Sequence, residues 1–141
     1  MFDPARLLAL NAGAQIVFSS LLGWSMVVAR QPWMHERARV LRHKAMTAAH
    51  LDWLMLAFMQ AVAAFLLDRW PVSNGGTTVA VLLVYGGWVN PTAYVFRALG
   101  VDAFAFAGGL GQRAASAFAG TSSVAILAGW IVLLVAQFTR P

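Results

Sequence analysis

The chain has 141 residues, 60% hydrophobic and only 11% charged, with a mean hydropathy of +0.70. Soluble domains carry about 25% charged residues, so this composition excludes an ordinary water-soluble globule and predicts an integral membrane protein. The absence of cysteine excludes disulfides, thiolate metal sites and cysteine-ligated haem or iron–sulfur clusters. The net charge of +5 is read as a basic loop facing anionic lipid, with no nucleic-acid partner.

The N-terminus, Met1-Phe2-Asp3-Pro4-Ala5-Arg6, runs directly into apolar sequence with no small-residue cleavage site, and is read as a retained first span. The first helix is predicted over 7–29. Asn11, Gln15 and Ser19 are spaced four apart and form one polar stripe, which should face the bundle because amides in hydrocarbon are costly. Pro32 ends the helix. Five of the ten Lys/Arg residues then fall between Arg30 and Lys44, a topology anchor.

The second helix is predicted over 45–67 and carries Thr47, His50, Asp52 and Gln60. Asp68-Arg69-Trp70-Pro71 closes it, and the short turn Val72-Ser73-Asn74-Gly75-Gly76 makes the second and third helices antiparallel neighbours. The third helix, 77–99, holds the most unusual stretch, Tyr85-Gly86-Gly87-Trp88-Val89-Asn90-Pro91-Thr92-Ala93-Tyr94. Leu83, Gly87, Asn90, Tyr94 and Arg97 share one helical face. That face is polar, with a gap at Gly86 and Gly87 that has two readings. It admits a flat ligand beside Asn90 and Tyr94, or the glycines pack closely on a neighbouring helix with Asn90 bonded to it. Pro91 predicts a kink.

The segment 97–116 is read as a connection. Its Gly108-Gly109-Leu110-Gly111 is no phosphate loop, since no Lys-Ser/Thr follows and no strand precedes it. A fourth helix is predicted over 118–138. Seven cations (Arg30, Arg37, Arg39, Arg42, Lys44, Arg97, Arg113) fall on one side against Arg6, Arg69 and Arg140 on the other, which places both termini outside. The expected fold is an all-α, four-helix integral membrane bundle forming one domain over 1–141.

Reactive groups at membrane depth are few: His50, Asp52, Gln60, Tyr85, Asn90 and Tyr94. No Ser-His-Asp arrangement or carboxylate pair can be assembled from them, and zinc would want three or four ligands. His50 has three readings: a hydrogen bond between helices, a proton relay with Asp52, or the ligand of a large cofactor such as haem. Asp52 points about 200° away around the helix and cannot orient the His50 ring. His43 shares the His50 side of the same helix, so the two cannot sandwich one iron. A haem here would be five-coordinate.

Gly87-Trp88-Val89-Asn90, with Tyr94 four residues after the Asn, resembles the third-helix motif of the styrene oxide isomerases. Ala49-His50 resembles that family's Ala-His, whose histidine is the axial ligand of haem b. Ala49-His50-Leu51-Asp52 is also similar to the Ala-His-Leu-Glu of the hydroxylaminobenzene mutases. The resemblance implies a homotrimer in the bacterial inner membrane, with ferric haem as the Lewis acid that opens a small aryl epoxide to an aldehyde. It assigns His50 as the haem ligand, Gly86, Gly87 and Trp88 as haem-lining, Tyr94 as the donor to the developing alkoxide and Asn90 as its positioning partner. Trp53 and Phe58 would add apolar walls. The alternatives are the mutase rearrangement of an aryl hydroxylamine or a non-catalytic haem-binding protein. The chain departs from the family pattern at Leu56, where an Asn is expected six residues after the His, and Gln60 offers an amide one turn further on.

Overall fold

The computed structural model describes residues 3–34, 42–72 and 74–139. His35, Arg37, Arg39, Ser73 and Arg140 therefore lie outside the described residues. Among the described residues five helices form: α1 (Pro4–Ala29), α2 (His43–Arg69), α3 (Gly76–Val89), α4 (Thr92–Ala98) and α5 (Leu110–Phe138). With α3 and α4 taken as one span, Gly76–Ala98, four helices among the described residues are long and apolar enough to cross a membrane. The shortest has 23 residues, about 35 Å at about 1.5 Å per residue, against a hydrocarbon core of about 30 Å.

Local chemistry sets the helix ends. The Asp3 carboxylate accepts from the Arg6 amide at 3.1 Å, and Pro4 follows at the first helical position, where its missing N–H costs nothing. Gly75 enters α3 at φ +89°, a left-handed conformation that glycine adopts without strain. Pro91 cannot donate to Gly87, and the chain breaks at Asn90–Pro91 as expected. Around the break the amides of Ala93 and Tyr94 reach back only three residues, to Asn90 and Pro91.

The fourth span starts at Leu110, a full two turns before the expected 118. The lone Gly111 does not break a segment otherwise rich in alanine. Gln112 donates to the Asp102 carbonyl at 3.1 Å, and Ser116 donates to the Ala105 carbonyl at 2.8 Å. These bonds fasten the early turns of α5 to the preceding connection.

Successive spans alternate in direction. At one end Gly76 lies beside Pro4, and Gln137 donates to the Trp70 carbonyl. At the other, the Arg42 amide donates to the Ala98 carbonyl. α1 packs chiefly on α2, and α3 on α5. The main apolar core, Leu8, Ala63, Ala64, Leu67, Val79, Ala80, Leu83 and Leu133, lies towards the end that holds Pro4 and Gly76. A smaller one of Ala93, Ala103, Ala115 and Ala119 closes the other end. Most buried apolar residues are alanines, which let the backbones approach, while Leu21, Trp24, Met55, Phe65, Val124 and Leu127 point outward.

If the cationic end faces the cytoplasm, cysteines substituted at Asn74 and Ala107 should react with an impermeant maleimide from opposite faces, Asn74→Cys from outside the cell. Labelling in the reverse sense would overturn the orientation.

Candidate functional site: a polar layer between two apolar cores

Between the two cores lies a layer of hydrogen-bonded side chains. The α1 stripe supplies one side of it, with Gln15 and Ser19 fully buried. Asn11 donates to the Gln60 side-chain oxygen, and Gln60 donates to the Gln15 oxygen at 3.0 Å. The Trp88 indole N–H donates to the Asn11 oxygen at 2.8 Å. Three spans are thus joined by amides. Phe18 presents its edge to both Trp53 and Trp88, with ring centroids 4.8 and 5.4 Å apart.

His50 is held by the next member of the stripe. Its Nδ1 lies 2.8 Å from the Ser19 carbonyl and 2.9 Å from the Ser19 hydroxyl, and that hydroxyl donates back to the His50 carbonyl at 2.8 Å. A carbonyl can only accept, so the bond requires the proton on Nδ1. In the neutral ring this leaves the lone pair on Nε2, which has no partner among the described residues. Gly23 makes room for the ring: a Cβ there would come within 3.1 Å of His50 Cε1. Gly23 is four residues beyond Ser19, so it extends the Asn11–Gln15–Ser19 stripe. The spacing was visible in the sequence, but a residue without a side chain gave no sign of its role.

Asp52 bonds elsewhere. Its carboxylate accepts from Asn90 at 2.8 Å, while the Asn90 oxygen accepts from Ser122 at 3.2 Å and Ser123 at 3.0 Å. Asn90 is therefore a brace tying α2 and α5 to the break in the third span. It was expected to position a ligand, but its oxygen is already engaged by two serines. It instead fixes the point from which α4, and so Tyr94, projects. No hydrogen bond links Asp52 to His50, which leaves the proton-relay reading without a connection between them.

The expected gap at Gly86 and Gly87 is filled. A Cβ on Gly86 would overlap Ile126 and come within 3.1 Å of the Ser122 carbonyl, so α5 packs directly on that backbone. A Cβ on Gly87 would overlap the Gln60 amide and approach Gln15 Nε2 at 2.7 Å. The assignment of Gly86, Gly87 and Trp88 as haem-lining is corrected accordingly. The two glycines admit a neighbouring helix and two glutamines, and the Trp88 indole is held by Asn11. Gln60, 2% exposed, is likewise committed to Asn11 and Gln15 and does not replace the amide missing at Leu56. Trp53 is buried beside Phe18, whereas Phe58 faces outward.

Tyr94 is half-buried and stacks at a tilt on Phe104, centroids 4.9 Å apart. Its hydroxyl has no hydrogen-bond partner among the described residues. It lines a cavity of about 310 Å³ with Arg42, Lys44, Ala45, Ala48 and Arg97. Ala48 and His50 are two residues apart, about 200° around α2. His50 faces α1, and the Tyr94 cavity lies on the other side of α2. One chain does not bring these two groups to a common ligand.

Among the described residues no three His, Asp or Glu side chains gather as an ion site. An axial haem ligand needs only one. The chain matches no protein-family model, no curated protein and no solved structure.

Gly87→Ala should lose about 1–3 kcal/mol of stability by overpacking the glutamine layer, read as a lower unfolding temperature in detergent. Gly13→Ala, where an added Cβ meets nothing within 4 Å inside α1, is the control and should melt at or slightly above the wild type. Equal melting of the two variants would contradict the packing account.

Proposed function

We propose that this protein is a membrane-embedded haem b isomerase, in which His50 would hold the haem through Nε2. The observation that carries this reading is the state of the imidazole. Ligating histidines usually donate their other ring N–H to a carbonyl or carboxylate, which fixes the tautomer and raises the basicity of the ligating nitrogen. Nδ1–H bonded to the Ser19 carbonyl, with Nε2 free on a half-buried ring, meets that requirement. A histidine serving only to join helices would not need a bare second nitrogen. In the membrane an unbonded polar atom is a functional indicator.

When bound, ferric haem supplies the Lewis acidity that weakens the benzylic C–O bond of a small aryl epoxide. Tyr94 supplies the complementary donor. Its hydroxyl keeps its own proton and donates a hydrogen bond to the epoxide oxygen as negative charge grows there. The adjacent carbon passes its hydride to the benzylic carbon, giving the aldehyde with no redox change and no net proton transfer. Asn90 acts through Tyr94, since its bonds to Asp52, Ser122 and Ser123 set where α4 begins. The apolar spans restrict water, which would divert a benzylic cation to a diol.

His50 and Tyr94 lie on opposite sides of α2, so the reading requires a second copy: Tyr94 of one subunit serves the haem held by His50 of the next. This supports a homo-oligomer, a trimer on the resemblance noted above, in the bacterial inner membrane with both termini outside.

The test uses purified wild type, His50→Ala and Tyr94→Phe, fed styrene oxide and, in parallel, phenylhydroxylamine. Wild type should show a Soret band and convert the epoxide, and His50→Ala should lose the band while remaining in the membrane. Tyr94→Phe should keep its haem and lose about 10²–10³ in turnover per haem. A normal Soret band in His50→Ala would remove the ligand assignment. Turnover of phenylhydroxylamine alone would move the chain to the mutase reaction.

A further inference from the structure

We propose that the cavity at the start of α2 binds the phosphate of an anionic membrane lipid. Three of its six lining residues are cations, Arg42, Lys44 and Arg97, and none is acidic. Among the described residues no carboxylate pairs with any of the three. Arg97 is held instead over the face of Phe104, its guanidinium carbon 5.6 Å from the ring centroid, a contact that orients the group without neutralising it. The three cations are exposed around a cavity of about 310 Å³, where one anion could meet all of them.

The helix end adds to the same field. Arg42 caps the 27-residue α2 with an extended backbone and no side-chain hydrogen bond. The Arg42 and Ala45 amides are bonded, to the Ala98 and Arg42 carbonyls, so the helix end adds chiefly the positive end of its dipole beside the three side chains. Ala45 and Ala48 are small and apolar, which suits the glycerol portion of a lipid.

Position decides the source of the phosphate. The cavity stands where α2 begins and α4 ends, at the rim of the apolar spans, the depth of the headgroup layer. Among the described residues that end carries Arg30, Arg42, Lys44, Arg97 and Arg113 against Asp102 alone. An anionic lipid headgroup reaches the site with its acyl chains still in the bilayer, whereas a free phosphate must give up bulk water for the same bonds. Juxtamembrane cations contribute favourably and individually to such binding.

The test titrates detergent-purified protein with dioctanoyl phosphatidylglycerol, dioctanoyl phosphatidylcholine and sodium phosphate, following the unfolding temperature. Phosphatidylglycerol should raise it saturably, phosphatidylcholine should not, and sodium phosphate should act only at far higher concentration. Arg42→Gln and Arg97→Gln should each shift the midpoint about fivefold to weaker binding, while Arg42→Lys and Arg97→Lys should stay near wild type, separating lost charge from misfolding. His50→Ala should still respond to phosphatidylglycerol, since Arg42, Lys44 and Arg97 are not residues that hold haem in the reading above. Equal responses to the two lipids, or Gln variants that titrate unchanged, would overturn the site. Phosphate acting at lipid-like concentration would overturn the lipid as its source. Loss of the response in His50→Ala would assign the cations to haem carboxylates instead.

Discussion

The structure depends on hydrogen bonds between spans in a medium that offers no others. Helices in lipid gain nothing from hydrophobic burial against one another, so relative position is set by close packing and by polar side chains that must be satisfied within the bundle. Here one stripe on α1 supplies most of those bonds. Asn11 and Gln15 hold Gln60, Asn11 also holds Trp88, and Ser19 holds both the ring and the carbonyl of His50. The pair formed by Ser19 and His50 matters most, because it fixes helix register and imidazole tautomer together. A change of register along α1 would break the amide layer and free the ring at once.

A second brace crosses the other side of α2. Asp52, Asn90, Ser122 and Ser123 join three spans at the point where Pro91 interrupts the third. A break in a membrane helix leaves backbone groups that need support; the Thr92 hydroxyl donates to the Val89 carbonyl there, while these side chains hold the neighbouring spans against the break. Tyr94 projects one turn beyond the break, on the opposite side of α2 from His50. Any chemistry that uses both groups is therefore chemistry between copies. The outward apolar faces of α1, α2 and α5 are open to a second chain as well as to lipid.

Much of the fold was legible because the physics of a bilayer is restrictive. Four long apolar runs admit little but four spans, Pro91 demands a break, and amides four apart demand a shared interior face. The start of α5 was hidden because a glycine run reads as a loop, although Gln112 and Ser116 make its early turns secure. Gly86 and Gly87 were ambiguous for a sound reason: a missing side chain makes room for a ligand or for another helix, and spacing along one span says nothing of what stands opposite. The serines that engage Asn90 lay in a span with few other polar groups. Which of them faced Asn90 depended on the packing of α5, which no local pattern encodes.

The central claim is that the fold presents His50 with Nδ1 protonated and Nε2 bare. Nitrogen-15 NMR of haem-free, histidine-labelled protein in lipid reports this directly, with the His50 resonances assigned among the three histidines by their loss in His50→Ala. A neutral ring carrying its proton on Nδ1 is the predicted result. A proton on Nε2, with Nδ1 bare, would contradict the Ser19 geometry and with it the ligand assignment.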